Sequence, residues 1–259
     1  MVAAHLPSSE FKARLKAGEA LGCHWLSLGA PALAELAAEA APDAVVIDMQ
    51  HGLWGRAALE GAIGGTAGRC AALVRTADQS PAAIGQALDA GALGVIAPLV
   101  NNAAECASVV AAAHYPPRGV RSAGGVRTMV DFAAYVEAAG ANTFVAAMIE
   151  TAAAVEVVKE IAATPGLDMI FIGPTDLALS MGCGPGSAAF EAALAAVLAV
   201  GRDAGVAVGM FTPSVDQALA RAAQGFQLVV FVSDLELNRG HAKAQWERFK
   251  AGRHEAAKR

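Results

Sequence analysis

The chain has 259 residues, a formal net charge of −5 and a pI near 5.7, and 55% of its residues are hydrophobic while 17% are charged. This acidic balance contains no basic stripe, which argues against nucleic acid as a partner. No apolar run reaches the length of a bilayer span, and Met1–Lys16 lacks the apolar core of a signal peptide. We therefore expect a cytoplasmic protein with no membrane partner. The four cysteines are scattered without a CxxC pair, which is typical of reduced thiols.

Apolar runs alternate with Ala- and Leu-rich segments along the chain. The predicted strands are Leu21–Leu28, Ala44–Met49, Ala71–Thr76, Gly94–Val100, Thr143–Glu150, Met169–Gly173, Val206–Thr212 and Leu228–Ser233. The predicted helices are Ala32–Ala41, Ala57–Thr66, Pro81–Ala90, Ala103–Ala113, Ala152–Ala163, Ala188–Ala204, Val215–Gln224 and Leu237–Lys250. Ser80-Pro81 and Thr212-Pro213 are typical helix starts. Gly91, Gly205 and Gly225 lie where helices should end.

Strict alternation of strand and helix requires parallel pairing with right-handed crossovers. Eight such units without a linker or a low-complexity tract favour an α/β fold with one domain over residues 1–259, a (β/α)₈ TIM barrel. A doubly wound open sheet is the alternative. The first strand-to-helix turn, Leu28–Pro31, lacks the G-x-G-x-x-G dinucleotide fingerprint, which weakens that alternative.

Functional residues of such a barrel collect at the carboxyl ends of its strands. The second strand leads into Asp48-Met49-Gln50-His51, where a carboxylate can fix the tautomer of an imidazole and raise its basicity. Asp48 and His51 are therefore a candidate acid–base dyad. The alternative, which is equally open, makes Asp48 a helix cap and His51 a surface histidine.

The third strand ends in Arg75, directly after a buried run. A buried guanidinium needs an anion, so Arg75 either contacts an acidic substrate or forms a structural salt bridge. Asp89, late on the following helix, is a candidate partner, although a solvated acid at a helix end is the plainer interpretation.

The longest irregular stretch is His114–Arg127, which carries three arginines and a Gly pair. Long ordered loops on a compact barrel tend to be functional. The arginines are candidates for binding a carboxylate substrate or a neighbouring subunit, and simple pairing with surface acids is the alternative.

Two neighbouring strands, the fifth and the sixth, are followed by carboxylates. Glu150 closes the run Phe144–Glu150, and Asp176 follows Gly173-Pro174-Thr175 after the sixth. Two adjacent carboxylates repel unless a proton or a cation lies between them, and Mg²⁺ or Mn²⁺ suits oxygen ligands. Helix capping by either acid is the alternative.

The last two strand ends offer weaker signals. Phe211 ends the seventh run and is a candidate wall of a substrate pocket, with core packing as the plainer role. Ser233 and Asp234 follow the eighth and are expected to cap the final helix.

Taken in order, five elements resemble the HpcH/HpaI family of metal-dependent (class II) pyruvate aldolases across essentially the whole chain. They are Ile-Asp-x-x-His-Gly at 47–52, Val-Arg at 74–75, Tyr-Pro-Pro-Arg-Gly-x-Arg at 115–121, Ile-Glu at 149–150 and Phe-Ile-Gly-Pro-Thr-Asp-Leu at 171–177. The resemblance implies that Glu150 and Asp176 bind a divalent ion, Mg²⁺ or Mn²⁺ with Co²⁺ as a third candidate. It also implies that Arg75 contacts the pyruvyl oxygen and that Asp48 with His51 forms the acid–base dyad.

The implied reaction is the reversible cleavage of a 4-hydroxy-2-oxo acid to pyruvate, or a close 2-oxo acid, and an aldehyde through a metal-stabilised enolate. The pyruvate carboxylate would lie along Gly173, Pro174, Thr175 and Asp176 and accept the backbone N–H groups of the last two. A metal-based reaction needs no Schiff-base lysine, and none of the eight strand ends carries one.

The family further implies a last helix exchanged between subunits and a hexamer built as a trimer of dimers. This chain departs from the family pattern at Gln50, where Glu is common, and at Met148, where Gln is frequent. Those departures leave the substrate open. They also leave two alternatives: a related lyase that cleaves an acyl-CoA or oxaloacetate, and a relative that binds a keto acid without turnover.

Overall fold

The computed structural model describes residues 8–256. Eight parallel strands close into a barrel in chain order, with the last strand beside the first. The strands are β1 (Leu21–Leu26), β2 (Ala44–Asp48), β3 (Ala71–Arg75), β4 (Gly94–Ala97), β5 (Phe144–Ile149), β6 (Met169–Ile172), β7 (Ala207–Met210) and β8 (Leu228–Ser233). The closed barrel confirms the (β/α)₈ prediction and excludes the open doubly wound sheet.

Helices separate the strands and cover the outside of the barrel. They are α1 (Ser8–Lys16), α2 (Pro31–Glu39), α3 (Arg56–Thr66), α4 (Pro81–Asp89), α5 (Ala103–Ala113), α6 (Phe132–Asn142), α7 (Ala152–Glu156), α8 (Val158–Ala162), α9 (Pro174–Ser180), α10 (Ala188–Ala204), α11 (Val215–Gln224) and α12 (Asp234–Ala256), with a 3₁₀ turn at Thr128–Asp131. No helix among residues 8–256 combines the length and the apolar character needed to cross a bilayer.

The predicted strands and helices are confirmed with local differences. The predicted strand Gly94–Val100 ends at Ala97, because Pro98 lacks a backbone N–H for the ladder. The predicted helix Ala152–Ala163 is broken at Val157, whose dihedrals leave the helical region. The start expected at Thr212-Pro213 is wrong, since α11 begins after Ser214, whose hydroxyl caps it.

Three helices were not predicted: α1, α6 and α9. The expected helix ends are confirmed. Gly205 and Gly225 take positive φ angles directly after α10 and α11, and Gly91 takes one directly after Ala90, the C-cap residue of α4. Glycine adopts this conformation without steric cost, which explains why it stops each helix.

Two apolar layers form the core. The outer layer lies between the barrel and its helices, and the inner layer fills the barrel. Helix α1 closes the end where the strands begin, because its buried Phe11 packs edge-on against Phe144, the first residue of β5, at 5.5 Å between ring centres. The opposite end, where the strands finish, holds the charged residues predicted for the site.

Candidate active site

Three charged side chains are buried inside the carboxyl-terminal end of the barrel. In β5, Met148 belongs to the inner layer and Ile149 to the outer one. Side chains alternate along a strand, so Glu150 turns inward again. Asp48 and Arg75 reach the same space from β2 and β3, where they are register partners. The exposed fractions are 2% for Asp48, 9% for Arg75 and 1% for Glu150, so each charge needs a partner.

Asp48 and Arg75 satisfy each other. Arg75 Nε donates to Asp48 Oδ1 at 2.8 Å, and Nη2 donates to Oδ2 at 2.5 Å. Trp25 Nε1 donates to the same Oδ2 at 3.2 Å, and the Trp25 ring centre lies 4.9 Å from the guanidinium carbon. Burial opposes ionisation of Asp48, but the hydrogen bonds and charge of Arg75 outweigh it and hold the pKa of Asp48 below its usual value. The pair is therefore a fixed, charged unit.

The structure joins Asp48 to His51 through the main chain rather than through the imidazole. Asp48 Oδ1 accepts the backbone N–H groups of Gln50 at 3.1 Å and His51 at 3.2 Å, while the His51 side chain is exposed. With Arg75 and Trp25 added, five donors surround a carboxylate that accepts about four hydrogen bonds. Asp48 therefore holds the turn that carries His51, and the acid–base role of His51 stays a prediction.

Asp89 is not the partner of Arg75. Its Oδ1 accepts Arg121 Nη2 at 2.8 Å, and the Arg121 side chain is fully buried between the rings of Tyr115 and Tyr135. Arg75 is bound instead by Asp48, its register partner on β2.

The His114–Arg127 stretch lies at the opposite end of this chain's barrel from the site. Helix α5 ends just before it and β5 begins after it, so it runs past the ends where strands start. Arg118 donates to the backbone carbonyl of Gly140 at 2.7 Å, and Arg127 donates to that of Glu60 at 2.7 Å. These arginines therefore do not reach a substrate bound in their own barrel.

Glu150 differs from Asp48 because only one of its two oxygens is satisfied. Oε1 accepts the backbone N–H of Leu99 at 2.7 Å, whereas Oε2 is buried and has no hydrogen-bond partner within the described residues. Burial raises the pKa of Glu150, the Leu99 N–H opposes this, and the nearby charge of Asp176 raises it further. A Cβ on Gly173 would lie 2.5 Å from Oε2, so glycine keeps the space beside this oxygen open.

Asp176 brings the second carboxylate to the same place. It lies in the first turn of α9, is exposed, and is close enough to Glu150 for a hydrogen bond between the two carboxyl groups when one is protonated. An open, buried oxygen beside a second carboxylate fits a hard divalent cation. In residues 8–256 no cluster of three or more His, Cys, Asp or Glu has a metal-binding arrangement, so water and substrate oxygens would complete the shell.

The start of α9 offers two more donors. Pro174 opens the helix after Gly173, and the first intrahelical bond runs from Leu177 N–H to the carbonyl of Gly173. The N–H groups of Thr175 and Asp176 therefore precede the hydrogen-bonded turns and point out of the helix start, where anions are favoured. This arrangement suits the predicted carboxylate contact, which stays a prediction.

Aromatic rings form the floor below the charged groups. Trp25 stacks on Phe171 with ring centres 5.8 Å apart and meets the edge of the half-buried Phe211 at 5.4 Å. Trp25 was missed by sequence reasoning, although the period of two along β1 places it on the inner face near the strand end. Phe211 is thus part of the site's floor as well as of its packing.

The residues after β8 have separate structural roles. Ser233 Oγ accepts the Glu236 N–H at 3.2 Å, which confirms the expected helix cap. Asp234 does not cap. Its two oxygens accept the N–H groups of Ser27 and Leu28, both at 2.9 Å, and so fix the loop after β1.

Comparison with known proteins gives consistent matches. The profile of the HpcH/HpaI aldolase/citrate lyase family matches residues 22–239. The chain is 40% identical over 220 residues to a hydroxypyruvate/pyruvate aldolase of Rhizorhabdus wittichii, with 82% of this chain and 87% of that one covered. It is 38% identical over 212 residues to a 4-hydroxy-2-oxovalerate aldolase of Novosphingobium aromaticivorans, with coverage of 77% and 80%.

A solved structure gives the same result. The crystal structure of an HpcH/HpaI aldolase/citrate lyase family protein from Burkholderia cenocepacia J2315 superposes with a TM-score of 0.86 at 33% identity, covering 92% of this chain and 98% of that one. All the site residues described above lie within the range that the family profile matches.

Proposed function

The chain belongs to the HpcH/HpaI aldolase/citrate lyase family of carbon–carbon lyases, and we propose that it is a metal-dependent aldolase that reversibly cleaves 4-hydroxy-2-oxo acids to pyruvate, or a close 2-oxo acid, and an aldehyde. The observation that carries the proposal is the free, buried Oε2 of Glu150 beside Asp176 and Arg75. A buried carboxylate oxygen without a donor is costly, and a cation would satisfy it.

Glu150 and Asp176 would hold the ion, with Mg²⁺ or Mn²⁺ preferred by the oxygen ligands and Co²⁺ as a further candidate. When bound, such an ion supplies Lewis acidity toward the 2-oxo oxygen of the substrate and so makes the adjacent C–H bond more acidic. Gly173 keeps the space for it next to Glu150.

Arg75 and the start of α9 would orient the 2-oxo acid. Arg75 uses Nε and Nη2 on Asp48, and within the described residues Nη1 has no acceptor, so it is available to the 2-oxo oxygen. Because Asp48 fixes the guanidinium in place, its charge is preorganised where negative charge develops. The substrate carboxylate would accept the N–H groups of Thr175 and Asp176, since Pro174 has none.

His51 would move the proton. In the cleavage direction the imidazole takes the proton from the C4 hydroxyl and the C3–C4 bond breaks, with its electron pair remaining on C3. The aldehyde leaves, and a proton delivered to C3 completes the methyl group of pyruvate. Asp48 supports this step indirectly, because its Oδ1 fixes the backbone N–H of His51.

The test is pyruvate release from a 4-hydroxy-2-oxo acid by chelator-treated protein, with and without Mn²⁺ or Mg²⁺. We expect no release without the ion and restored release with it. Oxaloacetate and an acyl-CoA thioester are supplied in parallel. Metal-dependent cleavage of one of these alone would favour the lyase alternative, and pyruvate binding without any cleavage would indicate a non-catalytic relative. In His51→Ala we expect turnover to be lost while pyruvate binding is retained.

We also propose that the protein assembles into an oligomer in which α12 packs against a neighbouring subunit, as in a hexamer made of three dimers. The support is that residues 235–249 of α12 are all exposed, and that three large apolar side chains among them, Leu237, Trp246 and Phe249, are 54%, 51% and 60% exposed. Light scattering at matched concentrations of the parent and Trp246→Glu tests this. We expect a lower particle mass for the variant, which corresponds to fewer subunits per assembly.

A further inference from the structure

Leu99, two residues after β4, has an unusual backbone conformation. Its φ is +54°, in the left-handed region that bulky residues rarely occupy. In this conformation the Leu99 N–H faces Glu150 and donates to Oε1 at 2.7 Å. The Leu99 side chain is 44% exposed, so its burial does not explain the conformation. Other contacts must hold the backbone there.

Gln79, in the loop between β3 and α4, provides one of these contacts. Its Nε2 donates to the carbonyl of Pro98 at 3.0 Å and to that of Leu99 at 2.6 Å. The loop is itself fixed, because Thr76 Oγ1 donates to the carbonyl of Asp78 at 2.7 Å. The loop that follows Arg75 of β3 is therefore linked by hydrogen bonds to the turn after β4.

A second side-chain amide donates to the Leu99 carbonyl. Asn101 Nδ2 donates to the Leu99 carbonyl at 2.7 Å, and Asn101 Oδ1 accepts the Thr151 hydroxyl at 2.6 Å. Val100 N–H donates to the Met148 carbonyl at 3.1 Å. The turn is therefore hydrogen-bonded on both sides of Glu150, at Met148 and at Thr151, and Gln79 adds a contact from the loop after β3.

We propose that Gln79 is a positioning residue for Glu150. By holding the Pro98 and Leu99 carbonyls, it keeps the Leu99 N–H on Oε1, so that only Oε2 is offered to a cation. This inference rests on the proposed function, because it assumes that Glu150 is a metal ligand. A carboxylate oxygen that hydrogen bonds already hold in place loses less conformational freedom when it binds a metal ion. Hydrogen-bonded partners orient metal-ligating side chains in this way in other proteins.

The test is Mn²⁺ binding to the full-length protein without substrate, followed through the electron paramagnetic resonance signal of free Mn²⁺. We expect Gln79→Ala to weaken Mn²⁺ affinity about 10-fold, the lower range for loss of a group that orients a ligand. Gln217→Ala makes the same substitution at an exposed glutamine on α11 and should leave affinity unchanged. Parent-like affinity of Gln79→Ala would overturn the inference.

Leu99→Gly separates positioning from a merely structural role. Glycine adopts the left-handed conformation without strain, so the double variant Gln79→Ala, Leu99→Gly should regain affinity toward the parent value. A double variant as weak as Gln79→Ala would contradict the inference.

Hydrogen exchange of the Leu99 amide gives a readout that needs no metal. We expect faster exchange in Gln79→Ala than in the parent and no change in Gln217→Ala. Unchanged exchange overturns the inference whatever the metal result. If the parent does not bind Mn²⁺ but exchange accelerates in Gln79→Ala, the proposed function fails while the contact between Gln79 and the Leu99 turn is upheld.

Discussion

Asp48 and Glu150 are two buried carboxylates at the same end of one barrel, and their surroundings are opposite. Five donors surround Asp48, whose pKa is held below its usual value. Glu150 has one donor on Oε1 and none on Oε2 within the described residues, and its pKa is raised. The protein satisfies both oxygens of Asp48, whereas it leaves one oxygen of Glu150 without a donor among the described residues.

This difference supports the proposal that the charge of Asp48 is structural and that the charge of Glu150 binds a ligand. A buried acceptor without a donor costs about 1–3 kcal/mol, so a fold that keeps one at Glu150 is less stable than it would be with a neutral residue there. Asp48 stabilises the fold and fixes Arg75.

Removing the open carboxylate should affect activity most. Glu150→Gln keeps the side-chain shape but loses the charge that we propose holds the ion, and we expect kcat to fall about 1000-fold, or about 4 kcal/mol of transition-state stabilisation. Pyruvate release with saturating Mn²⁺ measures it. Glu156→Gln, which changes an exposed glutamate on α7, is the control and should keep parent activity. A Glu150→Gln enzyme of near-normal kcat would refute the metal-ligand role.

Removing the satisfied carboxylate should affect stability most. Asp48→Asn leaves Arg75 without its ionic partner, and we expect about 3 kcal/mol less unfolding free energy at pH 7. The folded pKa of Asp48 lies below its usual value, so its contribution is complete above that value and is lost as pH falls toward the folded pKa. Urea unfolding from pH 7 down to pH 3 should therefore show that the difference in unfolding free energy between the parent and Asp48→Asn becomes smaller. A gap independent of pH would mean that the charge of Asp48 does not stabilise the fold.

Filling the space beside Glu150 should have a smaller effect. In Gly173→Ala the new Cβ would lie 2.5 Å from Oε2 and 3.0 Å from the Glu150 Cβ, so the carboxylate must move. We expect Mn²⁺ affinity to fall about 10-fold, comparable to loss of a group that orients a ligand. Gly184→Ala is the matched control, since no atom lies within 4 Å of its new Cβ. Equal affinities in the two variants would show that Glu150 does not need this space.

The barrel could be predicted from the sequence because its signals are local. Each strand is a short apolar run, and glycine or proline marks where a strand or helix ends. The charged strand ends, Arg75 and Glu150, were visible for the same reason. Helix α6 was not, because Ala139 is its one buried residue and alanines on its other faces obscure the helical period. Helix α9 is only seven residues long, too short for a clear period.

The site's contacts could not be predicted because they join residues that are distant in sequence. The pairing of Asp48 with Arg75 depends on the register of β2 on β3, which the sequence does not encode locally. The left-handed Leu99 carries no signal in its residue type, since that conformation is typical of glycine and asparagine. The role of Gln79 could be inferred only from the structure, which brings its side-chain amide to the Pro98 and Leu99 carbonyls.

We propose that Glu150 destabilises the protein when it is free and stabilises the protein when it holds a cation. The direct test is urea unfolding of the parent and Glu150→Gln at pH 7 and equal protein concentration, with and without Mn²⁺. Without the ion we predict that Glu150→Gln is the more stable by about 1 kcal/mol, because its amide can donate to Asp176. With Mn²⁺ at about 100 times its dissociation constant the parent should gain about 2.7 kcal/mol and become the more stable. Equal gains in both proteins, or no gain in the parent, would contradict the claim.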